Sequence, residues 1–427
     1  MANWTLPRVN PEPFVARIPG SKSYTNRALV IAAMRPGTTE ITGALKSDDT
    51  VRLARALGSF GGITITDTDA GFRVERVDGP ITAPDEPCDM GGAGTPARFL
   101  LAFAASAEGT TTVTGNPRLC ERPMNDILDT LREIGISAEC RATEGCLPVE
   151  VTGGAPTTRE WRIRGDVSSQ FTSSLLLFAS QQAGEPITIE AEGNIVSIPY
   201  IEMTLSMMRS CGLKVDTDGE RRHVVHPCVP TAEAIPVEVD ASGMSYFLAA
   251  AALTGGTVRI DGIGEGSAQG DVGLARAFEA MGCSLRLTED SIEITGGPLR
   301  SIEIDMEVMP DVVLTLAPVA AVAEGTTRIT NIANLRVKEC DRIHAAAAEL
   351  TKLGARVEEG EDFLVIHGPT ELRPASIHTY DDHRVAMCFA ILGLVFDPIE
   401  IEDPGCVVKS FPDFWSEFER FRAHHGA

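Results

Sequence analysis

The chain has 427 residues, of which 43% are hydrophobic and 23% are charged, as in an ordinary soluble globular protein. Its 37 Lys and Arg residues are outnumbered by 60 Asp and Glu residues, which gives a net charge of −23. A field of that sign repels nucleic acid and anionic membranes, and an aromatic share of 5% offers few platforms for base stacking. A small anionic ligand would therefore have to be captured by a local basic cluster.

Cysteine usage and the lack of targeting patterns predict a cytoplasmic protein. The 10 cysteines are scattered with no C-x-x-C pair and no Cys/His ligand spacing, which is typical of reduced thiols and not of a disulfide frame or a zinc site. The first stretch, MANWTLPRVNPEP, lacks the basic-then-apolar pattern of a signal peptide. No apolar run reaches the roughly 18 residues of a membrane span. The last residues, RAHHGA, are expected to form a frayed tail.

A turn followed by alternating β-branched residues recurs along the chain at intervals of about seventy residues. The copies are PGTTEIT from Pro36, EGTTTVT from Glu108, GEPITIE from Gly184, GGTVRI from Gly255, EGTTRIT from Glu324 and FDPIEIE from Phe396. The interval is too long for a solenoid repeat. It suits six copies of one α/β unit.

Each copy carries two helices of different character. Before the turn stands a helix that is apolar nearly all round and should be buried: SYTNRALVIAAM, TPARFLLAFAAS, SSQFTSSLLLFAS, SGMSYFLAAAALTG, PDVVLTLAPVAAVA and DHRVAMCFAILGL. After the strand comes an amphipathic helix, and in four copies it should stop at a glycine: Gly135, Gly212, Gly282 and Gly354. Because six such units could not share one core, we expect an α/β fold of two domains with three βαβαββ-like units each and a break near Val239.

Reactive residues cluster where these helices start. Those before the buried helices are Lys22, Ser23, Gly94, Thr95, Ser168, Ser169, Gln170, Ser242, Asp311, His383 and Arg384. Those before the amphipathic helices are Asp48, Asp49, Arg122, Tyr200, Lys338, Glu339, Arg342 and Lys409. Helix starts offer unpaired N–H groups and the positive end of a dipole, so several of them together would trap phosphate and carboxylate groups.

Taken singly, each motif has an ordinary structural explanation. GSKS lacks the P-loop pattern, GGAGT can be a tight turn, GDVSSQ can be a capping cluster, and the Asp48–Asp49 pair can be a helix N-cap. Lys338 and Arg342, one turn apart, can lie on a solvated helix with Glu339 beside them. No H-E-x-x-H or G-x-S-x-G string is present. We therefore predict no metal centre and no serine hydrolase.

Taken together, the motifs resemble the enolpyruvyl transferase family. The strings GSKSYTNR, GGAGT, ERP, GDVSSQ, SIPY, MPD, RVKECDR, DDHR and DPGCVVKSFPD occur in this order across nearly the whole chain. They are similar to the family's branch that acts on shikimate-3-phosphate. The branch that acts on UDP-N-acetylglucosamine typically has a cysteine where this chain has Pro117. Another acceptor, a non-catalytic member of the fold and a nucleotide- or RNA-binding relative are the alternative interpretations.

The resemblance implies a reaction and a fold. The enolpyruvyl group of phosphoenolpyruvate would be transferred to the 5-hydroxyl of shikimate-3-phosphate by addition and elimination through a tetrahedral intermediate, in the shikimate pathway and without a metal or organic cofactor. The fold would be a two-domain inside-out α/β barrel with three units around each pseudo-threefold axis. The domains would be residues 1–20 with 240–427, and residues 21–239, joined by hinges near Gly20 and Val239 that close over substrate. A monomer is expected, with these two small molecules as its only partners.

The resemblance also implies a role for each matching residue. The expected shikimate-3-phosphate ligands are Lys22, Ser23, Arg27, Ser168, Ser169, Gln170, Ser197, Tyr200, Asp311, Asn334 and Lys338. The expected phosphoenolpyruvate ligands are Lys22, Gly94, Arg122, Gln170, Arg342, Arg384 and Lys409. Lys22, Asp311 and Glu339 are the expected catalytic residues, with His383 as support for proton transfer. Which carboxylate moves which proton is left open.

Several positions depart from the family's common pattern. Gly92 replaces an asparagine, Ala97–Phe99 reads Ala-Arg-Phe in place of Met-Arg-Pro, Cys120 replaces a lysine and Leu335 replaces an aromatic residue. Gly94, which leaves room for the herbicide glyphosate, is retained. We therefore expect weakened inhibition by glyphosate together with near-normal use of phosphoenolpyruvate.

Overall fold

A computed structural model describes residues 12–426 of the chain. The predictions about the first residues, namely the missing signal pattern and the start of the domain of residues 1–20, lie outside the described part. The chain divides into two compact units. The N-terminal unit runs from Gly20 to Glu238, and the C-terminal unit combines the chain up to Pro19 with the chain from Val239 onward.

Helices and strands alternate along both units. The helices are α1 (Lys22–Met34), α2 (Asp48–Gly58), α3 (Gly94–Ala104), α4 (Pro117–Cys120), α5 (Asn125–Glu133), α6 (Ser169–Ser180), α7 (Ile198–Ser210), α8 (Ala241–Thr254), α9 (Gly273–Ala280), α10 (Val313–Val322), α11 (Arg342–Lys352), α12 (His383–Leu392) and α13 (Phe414–His425). Short 3-10 segments cover Gly270–Val272, Pro310–Val312, Ala333–Val337 and Pro404–Lys409. Within residues 12–426 no helix is both long and apolar enough to cross a membrane.

The strands are short. They are β1 (Phe14–Val15), β2 (Gly37–Thr42), β3 (Ile63–Thr68), β4 (Gly71–Arg76), β5 (Cys88–Asp89), β6 (Thr110–Thr114), β7 (Ser137–Cys140), β8 (Val149–Thr152), β9 (Glu160–Arg164), β10 (Ile187–Glu192), β11 (Lys214–Asp218), β12 (Arg222–His226), β13 (Ala234–Pro236), β14 (Thr257–Asp261), β15 (Ser284–Leu287), β16 (Ser291–Thr295), β17 (Glu303–Asp305), β18 (Gly325–Thr330), β19 (Arg356–Glu359), β20 (Leu364–Gly368), β21 (Ala375–Ile377) and β22 (Ile399–Ile401). All ten cysteines are free thiols.

Three four-stranded sheets in the N-terminal unit share one strand order: β13-β2-β4-β3, β5-β6-β8-β7 and β9-β10-β12-β11. In each, the first pair is parallel and the other two pairs are antiparallel. The helices predicted to be buried, α1, α3 and α6, are covered on nearly all sides, and α3 packs against both of the others. Because these helices have no polar stripe, a position at the surface would expose apolar side chains to water.

The C-terminal unit has two sheets with this strand order and a third, smaller sheet. Its sheets β1-β14-β16-β15 and β17-β18-β20-β19 have the same order, and its three buried helices, α8, α10 and α12, pack on one another. The third sheet holds only the parallel pair β21-β22. The prediction of six equal βαβαββ copies is therefore wrong for the sixth. After β22 the described chain forms a 3-10 segment and α13 in place of two further strands.

The helix ends agree with the glycine signals but not with the predicted tail. Gly135, Gly212, Gly282 and Gly354 follow their helices with φ of 89°, 84°, 115° and 99°, the left-handed region that glycine adopts without strain. The frayed tail is wrong, because α13 continues to His425. The ring of that histidine is stacked 4.2 Å from the Phe421 ring and is buried.

Candidate active site

The first helix of the N-terminal unit begins with a buried ion pair. Ser21 caps α1, so Lys22 is its first residue. The Lys22 Nζ lies 3.1 Å from Asp49 Oδ2, and the Asp49 side chain is only 4% exposed. The prediction that Asp48 and Asp49 cap α2 is wrong, because the N-cap of that helix is Ser47. Asp49 lies in the first turn of α2 and holds the Lys22 amino group.

Arg27 connects α1 to α6 and α7. Its guanidinium donates to four oxygens: Thr204 Oγ1 at 2.7 Å, the Tyr200 carbonyl at 2.8 Å, the Ser23 carbonyl at 3.0 Å and Ser173 Oγ at 3.3 Å. The guanidinium carbon also lies 5.3 Å from the centroid of the Phe99 ring. Burial lowers the pKa of Arg27 to about 10, so the group stays charged at neutral pH. A guanidinium held this firmly presents a fixed positive charge.

The GDVSSQ string forms the start of α6 and is held by an arginine. Ser168 is the N-cap of that helix. The Arg98 Nη1 donates to Gln170 Oε1 at 2.7 Å and to Ser168 Oγ at 3.3 Å. The Arg98 guanidinium also lies 4.8 Å from the centroid of the Phe171 ring. Arg98 therefore fixes two predicted ligand residues, although the sequence motifs did not single it out.

The other predicted hydroxyls lie at two neighbouring helix starts. Ser169 is the first residue of α6, and Ser197 is the N-cap of α7 with a left-handed backbone, φ 57° and ψ 44°. Tyr200 lies in the first turn of α7. The starts of α6 and α7 lie close together, because the Ser173 hydroxyl of α6 donates to the Tyr200 carbonyl in the first turn of α7 at 3.4 Å.

Gly94 leaves room for the side chain of Arg122. A Cβ atom at Gly94 would lie 2.4 Å from Arg122 Nη1, closer than any real contact. Arg122 is buried, and its Nε has no hydrogen-bond acceptor among the described residues. A buried donor without an acceptor is costly unless a ligand supplies one. This corner of the N-terminal unit is therefore suited to an anion.

In the C-terminal unit the charged residues gather around Asp311. Its carboxylate lies 3.1 Å from Arg342 Nη1, 3.1 Å from Arg384 Nη2 and 3.4 Å from Lys338 Nζ. Burial alone would raise the pKa of Asp311, but the three cations outweigh burial and hold that pKa well below its usual range. Asp311 is therefore a carboxylate at any pH near neutrality.

Arg342 also pairs with two other carboxylates of this cluster. Its Nε lies 2.7 Å from Asp382 Oδ2, and its Nη2 lies 2.8 Å from Glu339 Oε2. Only 2% of the Arg342 side chain is exposed. Burial would lower the pKa of Arg342, but Asp382, Glu339 and Asp311 together raise it. Asp382, the N-cap of α12, is a second structural partner that the predicted site did not include.

The predicted arrangement of Lys338 and Arg342 is wrong in its geometry. Helix α11 begins at Arg342, whereas Lys338 follows the preceding 3-10 segment as its C-cap, so the two do not share a helix face. They meet instead because both contact Asp311. Glu339, between them in sequence, also lies 3.6 Å from Lys409 Nζ. The segment from Lys338 to Arg342 thus places Lys338, Glu339 and Arg342 in the cluster. On a solvated helix these three side chains would have been exposed.

Two further predicted residues flank this cluster. His383 is the first residue of α12 and is buried, with its Nδ1 3.6 Å from Asp382 Oδ1. Asn334 lies in the 3-10 segment before Lys338, and its Oδ1 is buried. Both thus belong to the same end of the C-terminal unit as Asp311.

Each unit therefore carries one charged half of the predicted site. The C-terminal half combines four cations, Lys338, Arg342, Arg384 and Lys409, with two carboxylates that remain 15% exposed, Asp311 and Glu339. Such a group can bind anions and can also exchange protons. In residues 12–426 no set of three or more His, Cys, Asp or Glu side chains is placed to hold a metal ion.

Known proteins are similar to this chain over nearly its whole length. A family model described as EPSP synthase (3-phosphoshikimate 1-carboxyvinyltransferase) matches residues 14–418. The chain belongs to the EPSP synthase family. Curated relatives in the family are the 3-phosphoshikimate 1-carboxyvinyltransferases of Nitrosomonas europaea, 42% identical with 97% of each chain covered, and Burkholderia vietnamiensis, 44% identical with 95% of each chain covered.

Solved structures share the fold. The EPSP synthase from Acinetobacter baumannii is 27% identical, with a TM-score of 0.79 over 96% of this chain and 97% of that chain. The enolpyruvyl transferase NikO from Streptomyces tendae is 18% identical, with a TM-score of 0.73 over 97% and 95% of the two chains. The α/β architecture with several small sheets is thus the fold of this family.

Proposed function

We propose that the chain transfers the enolpyruvyl group of phosphoenolpyruvate to the 5-hydroxyl of shikimate-3-phosphate, giving 5-enolpyruvylshikimate-3-phosphate and phosphate. The observation that carries the proposal is the cluster around Asp311, where four cations able to bind phosphate and carboxylate surround the carboxylates of Asp311 and Glu339. Family membership over nearly the whole chain supports the same reaction. No feature of the two described half-sites favours another acceptor.

Shikimate-3-phosphate is assigned mainly to the N-terminal unit. Its ligands there are Lys22, Ser23, Arg27, Ser168, Ser169, Gln170, Ser197 and Tyr200, and Asp311, Asn334 and Lys338 complete the set from the C-terminal unit. Hydroxyls at the starts of α6 and α7 suit a phosphate group, because helix starts add unpaired N–H donors. Arg27, fixed by four acceptors, supplies a permanent positive charge.

Phosphoenolpyruvate is assigned to the arginine and lysine side chains. Its ligands are Lys22, Gly94, Arg122, Gln170, Arg342, Arg384 and Lys409. A guanidinium binds carboxylate or phosphate oxygens in pairs, which explains the choice of arginine at three of these positions. The buried Nε of Arg122, which has no acceptor among the described residues, supports this assignment.

The reaction needs proton transfer in both halves. The 5-hydroxyl adds to C2 of phosphoenolpyruvate and loses its proton, while the methylene carbon gains one; the tetrahedral intermediate then loses phosphate and a methyl proton. The low pKa of Asp311 keeps that residue ionised, so it cannot supply the methylene proton. We assign that proton to Glu339 or Lys22, and to Asp311 the orientation of the acceptor's hydroxyl. His383 would support the transfer through Asp382.

We also propose the finer architecture that the family resemblance implies. Each unit would be an inside-out barrel, with buried helices around a pseudo-threefold axis and sheets outside. The recurring strand order and the mutual packing of α8, α10 and α12 support this arrangement. The domains would be residues 1–20 with 240–427, and residues 21–239. A monomer in the cytoplasm stays our prediction.

Phosphate release by the purified protein tests the proposed reaction. Phosphoenolpyruvate is supplied with shikimate-3-phosphate in one sample and with UDP-N-acetylglucosamine in another. We expect release only with shikimate-3-phosphate, and a loss of about 1000-fold in Lys22→Met. Release only with UDP-N-acetylglucosamine, or in neither sample from folded protein, would refute the proposal.

A methyl group at Gly94 should weaken phosphoenolpyruvate binding. In Gly94→Ala the new Cβ would displace the Arg122 guanidinium, and we expect the KM for phosphoenolpyruvate to rise about tenfold, equivalent to about 1.4 kcal/mol. The control is Gly266→Ala, because a Cβ there meets nothing within 4 Å. Equal KM values in Gly94→Ala and the control would show that Arg122 does not bind this substrate.

Glyphosate inhibition should be weaker than in family members that carry the common Met-Arg-Pro sequence. Phe99 replaces the proline, and its ring packs beneath Arg27. The expected result is an inhibition constant about tenfold higher, with a KM for phosphoenolpyruvate within about threefold, measured by competition against phosphoenolpyruvate. An inhibition constant equal to that of such a member would contradict the prediction.

A further inference from the structure

A buried carboxylate lies behind the proposed phosphoenolpyruvate site of the C-terminal unit. Asp271 is in the 3-10 segment before α9, and only 4% of it is exposed. Its Oδ2 accepts a hydrogen bond from the Ser242 hydroxyl, at the start of α8. Its Oδ1 is buried with no partner among the described residues. A buried carboxylate with one unpartnered oxygen lowers the stability of the fold, which suggests that it serves a function.

Ser242 connects this carboxylate to Arg384. The Arg384 Nη2 donates to Ser242 Oγ at 3.2 Å and lies 3.1 Å from Asp311 Oδ2. The Ser242 oxygen therefore accepts from Arg384 while its hydrogen points to Asp271. A hydroxyl that donates to a carboxylate is a better acceptor, because the two hydrogen bonds polarise each other.

The groups that face Asp271 come from three other elements. Asp311 lies on the 3-10 segment Pro310–Val312, Asp240 caps α8 and Arg384 is in the first turn of α12. Burial and the charge of Asp311 raise the pKa of Asp271 to about 7, and Asp240 adds a smaller rise. Arg384 and the Ser242 hydrogen bond act in the opposite direction and lower this pKa. Asp271 therefore changes charge within the working range of most enzymes.

We propose that Asp271 and Ser242 are positioning residues that hold the Arg384 guanidinium in place for phosphoenolpyruvate, with Asp271 acting only through the Ser242 hydroxyl. The inference rests on the proposed function, which gives Arg384 that substrate. Asp311 is itself assigned to the other substrate, so it is a weak anchor for Arg384 once that substrate binds. Ser242 is assigned to neither substrate, and its hydroxyl holds one guanidinium nitrogen of Arg384.

Steady-state kinetics of four variants test the inference at pH 6 and pH 8, with shikimate-3-phosphate saturating. Ser242→Ala should raise the KM for phosphoenolpyruvate about tenfold at pH 8, with kcat within about threefold, as expected for a lost hydrogen bond to a charged group. Asp271→Asn, which resembles the protonated acid, should raise the KM about fivefold at pH 8 and less than about twofold at pH 6. The double variant should be no worse than Ser242→Ala.

The matched control is Ser245→Ala. Ser245 is equally buried one turn along α8, where its hydroxyl bonds to the Ser242 carbonyl at 2.6 Å and to Thr315 Oγ1 at 2.8 Å. We expect its KM to equal that of the unchanged chain. Thermal unfolding verifies that each variant is folded. If Ser242→Ala does not fold, Asp271→Asn still tests the inference, because asparagine has the shape of the native side chain.

Three results would overturn the inference: a Ser242→Ala KM equal to that of the control, an Asp271→Asn effect of the same size at both pH values, or an Asp271→Asn effect that persists unchanged in the Ser242→Ala background. Failure of the proposed function is distinct, since it would show as a native protein that releases no phosphate with shikimate-3-phosphate. An active native protein with an unaffected Ser242→Ala variant would refute only the positioning role.

Discussion

Replacing Arg342 with methionine is expected to abolish phosphate release and to lower the free energy of unfolding by about 3–5 kcal/mol. Arg342 is 2% exposed and pairs with Asp382, Glu339 and Asp311. Its removal would leave these carboxylates close together with fewer cations, which costs far more than the loss of an exposed pair. Arg342→Lys keeps the charge but cannot reach all three carboxylates, so its effect should be intermediate.

The control for this prediction is Arg356→Met. Arg356 pairs with Glu358 at 3.1 Å, but the two side chains are 75% and 53% exposed, so its loss should change stability by less than about 1 kcal/mol. Urea unfolding gives the free energies, and the phosphate assay gives kcat. A stable Arg342→Met protein, within about 1 kcal/mol of the control, would show that the cluster does not depend on this arginine.

Changing Asp49 to asparagine is expected to lower kcat about 100-fold, with a smaller change in the KM values. Asp49 lies 3.1 Å from Lys22, the residue to which we assign a proton or the leaving phosphate. An asparagine of the same shape cannot neutralise the ammonium group, so Lys22 would lose its fixed position. Because Asp49 Oδ1 has no partner among the described residues, the substitution breaks no other bond that the structure shows.

The neighbouring Asp48→Asn is the control for Asp49→Asn. Asp48 lies in the same first turn of α2, but it is 47% exposed and pairs with Arg52 at 2.8 Å. Its kcat should remain within about twofold of the native value, since an exposed pair of this kind contributes little. Equal activities for the two asparagine variants would mean that Lys22 does not need Asp49.

The helices and strands were predictable because their signals are local. A turn followed by β-branched residues, an apolar helix and a glycine at a helix end are each signals that span a few residues. The structure confirms the six helices predicted to be buried: α1, α3, α6, α8, α10 and α12. The sixth copy could not be judged in this way. Its turn and strand are present at β22, but the described residues after β22 form a 3-10 segment and α13 and not two more strands.

The candidate site was predictable by residue but not by partner. Position in the motifs led us to predict Lys22, Asp311 and Arg342 as site residues, whereas Asp49 was predicted only as a residue at a helix start and Asp271 was not predicted. An acidic residue at a helix start usually caps the helix or faces solvent. Only packing decides that Asp49 meets Lys22 and that Asp271 meets Ser242. The start of α11 is a similar case. Lys338 and Arg342 are four residues apart, which predicted that they share a helix face, but α11 begins only at Arg342.

One measurement tests the proposed reaction most directly: proton NMR of phosphoenolpyruvate and shikimate-3-phosphate incubated with the protein in deuterated water. We expect the vinyl signals of an enol ether on the 5-oxygen to appear in step with inorganic phosphate, and deuterium to enter the vinyl group, because the intermediate carries a methyl group that gains one hydron and loses another. Phosphate without the enol ether, or a product vinyl group free of deuterium, would contradict addition and elimination at this site.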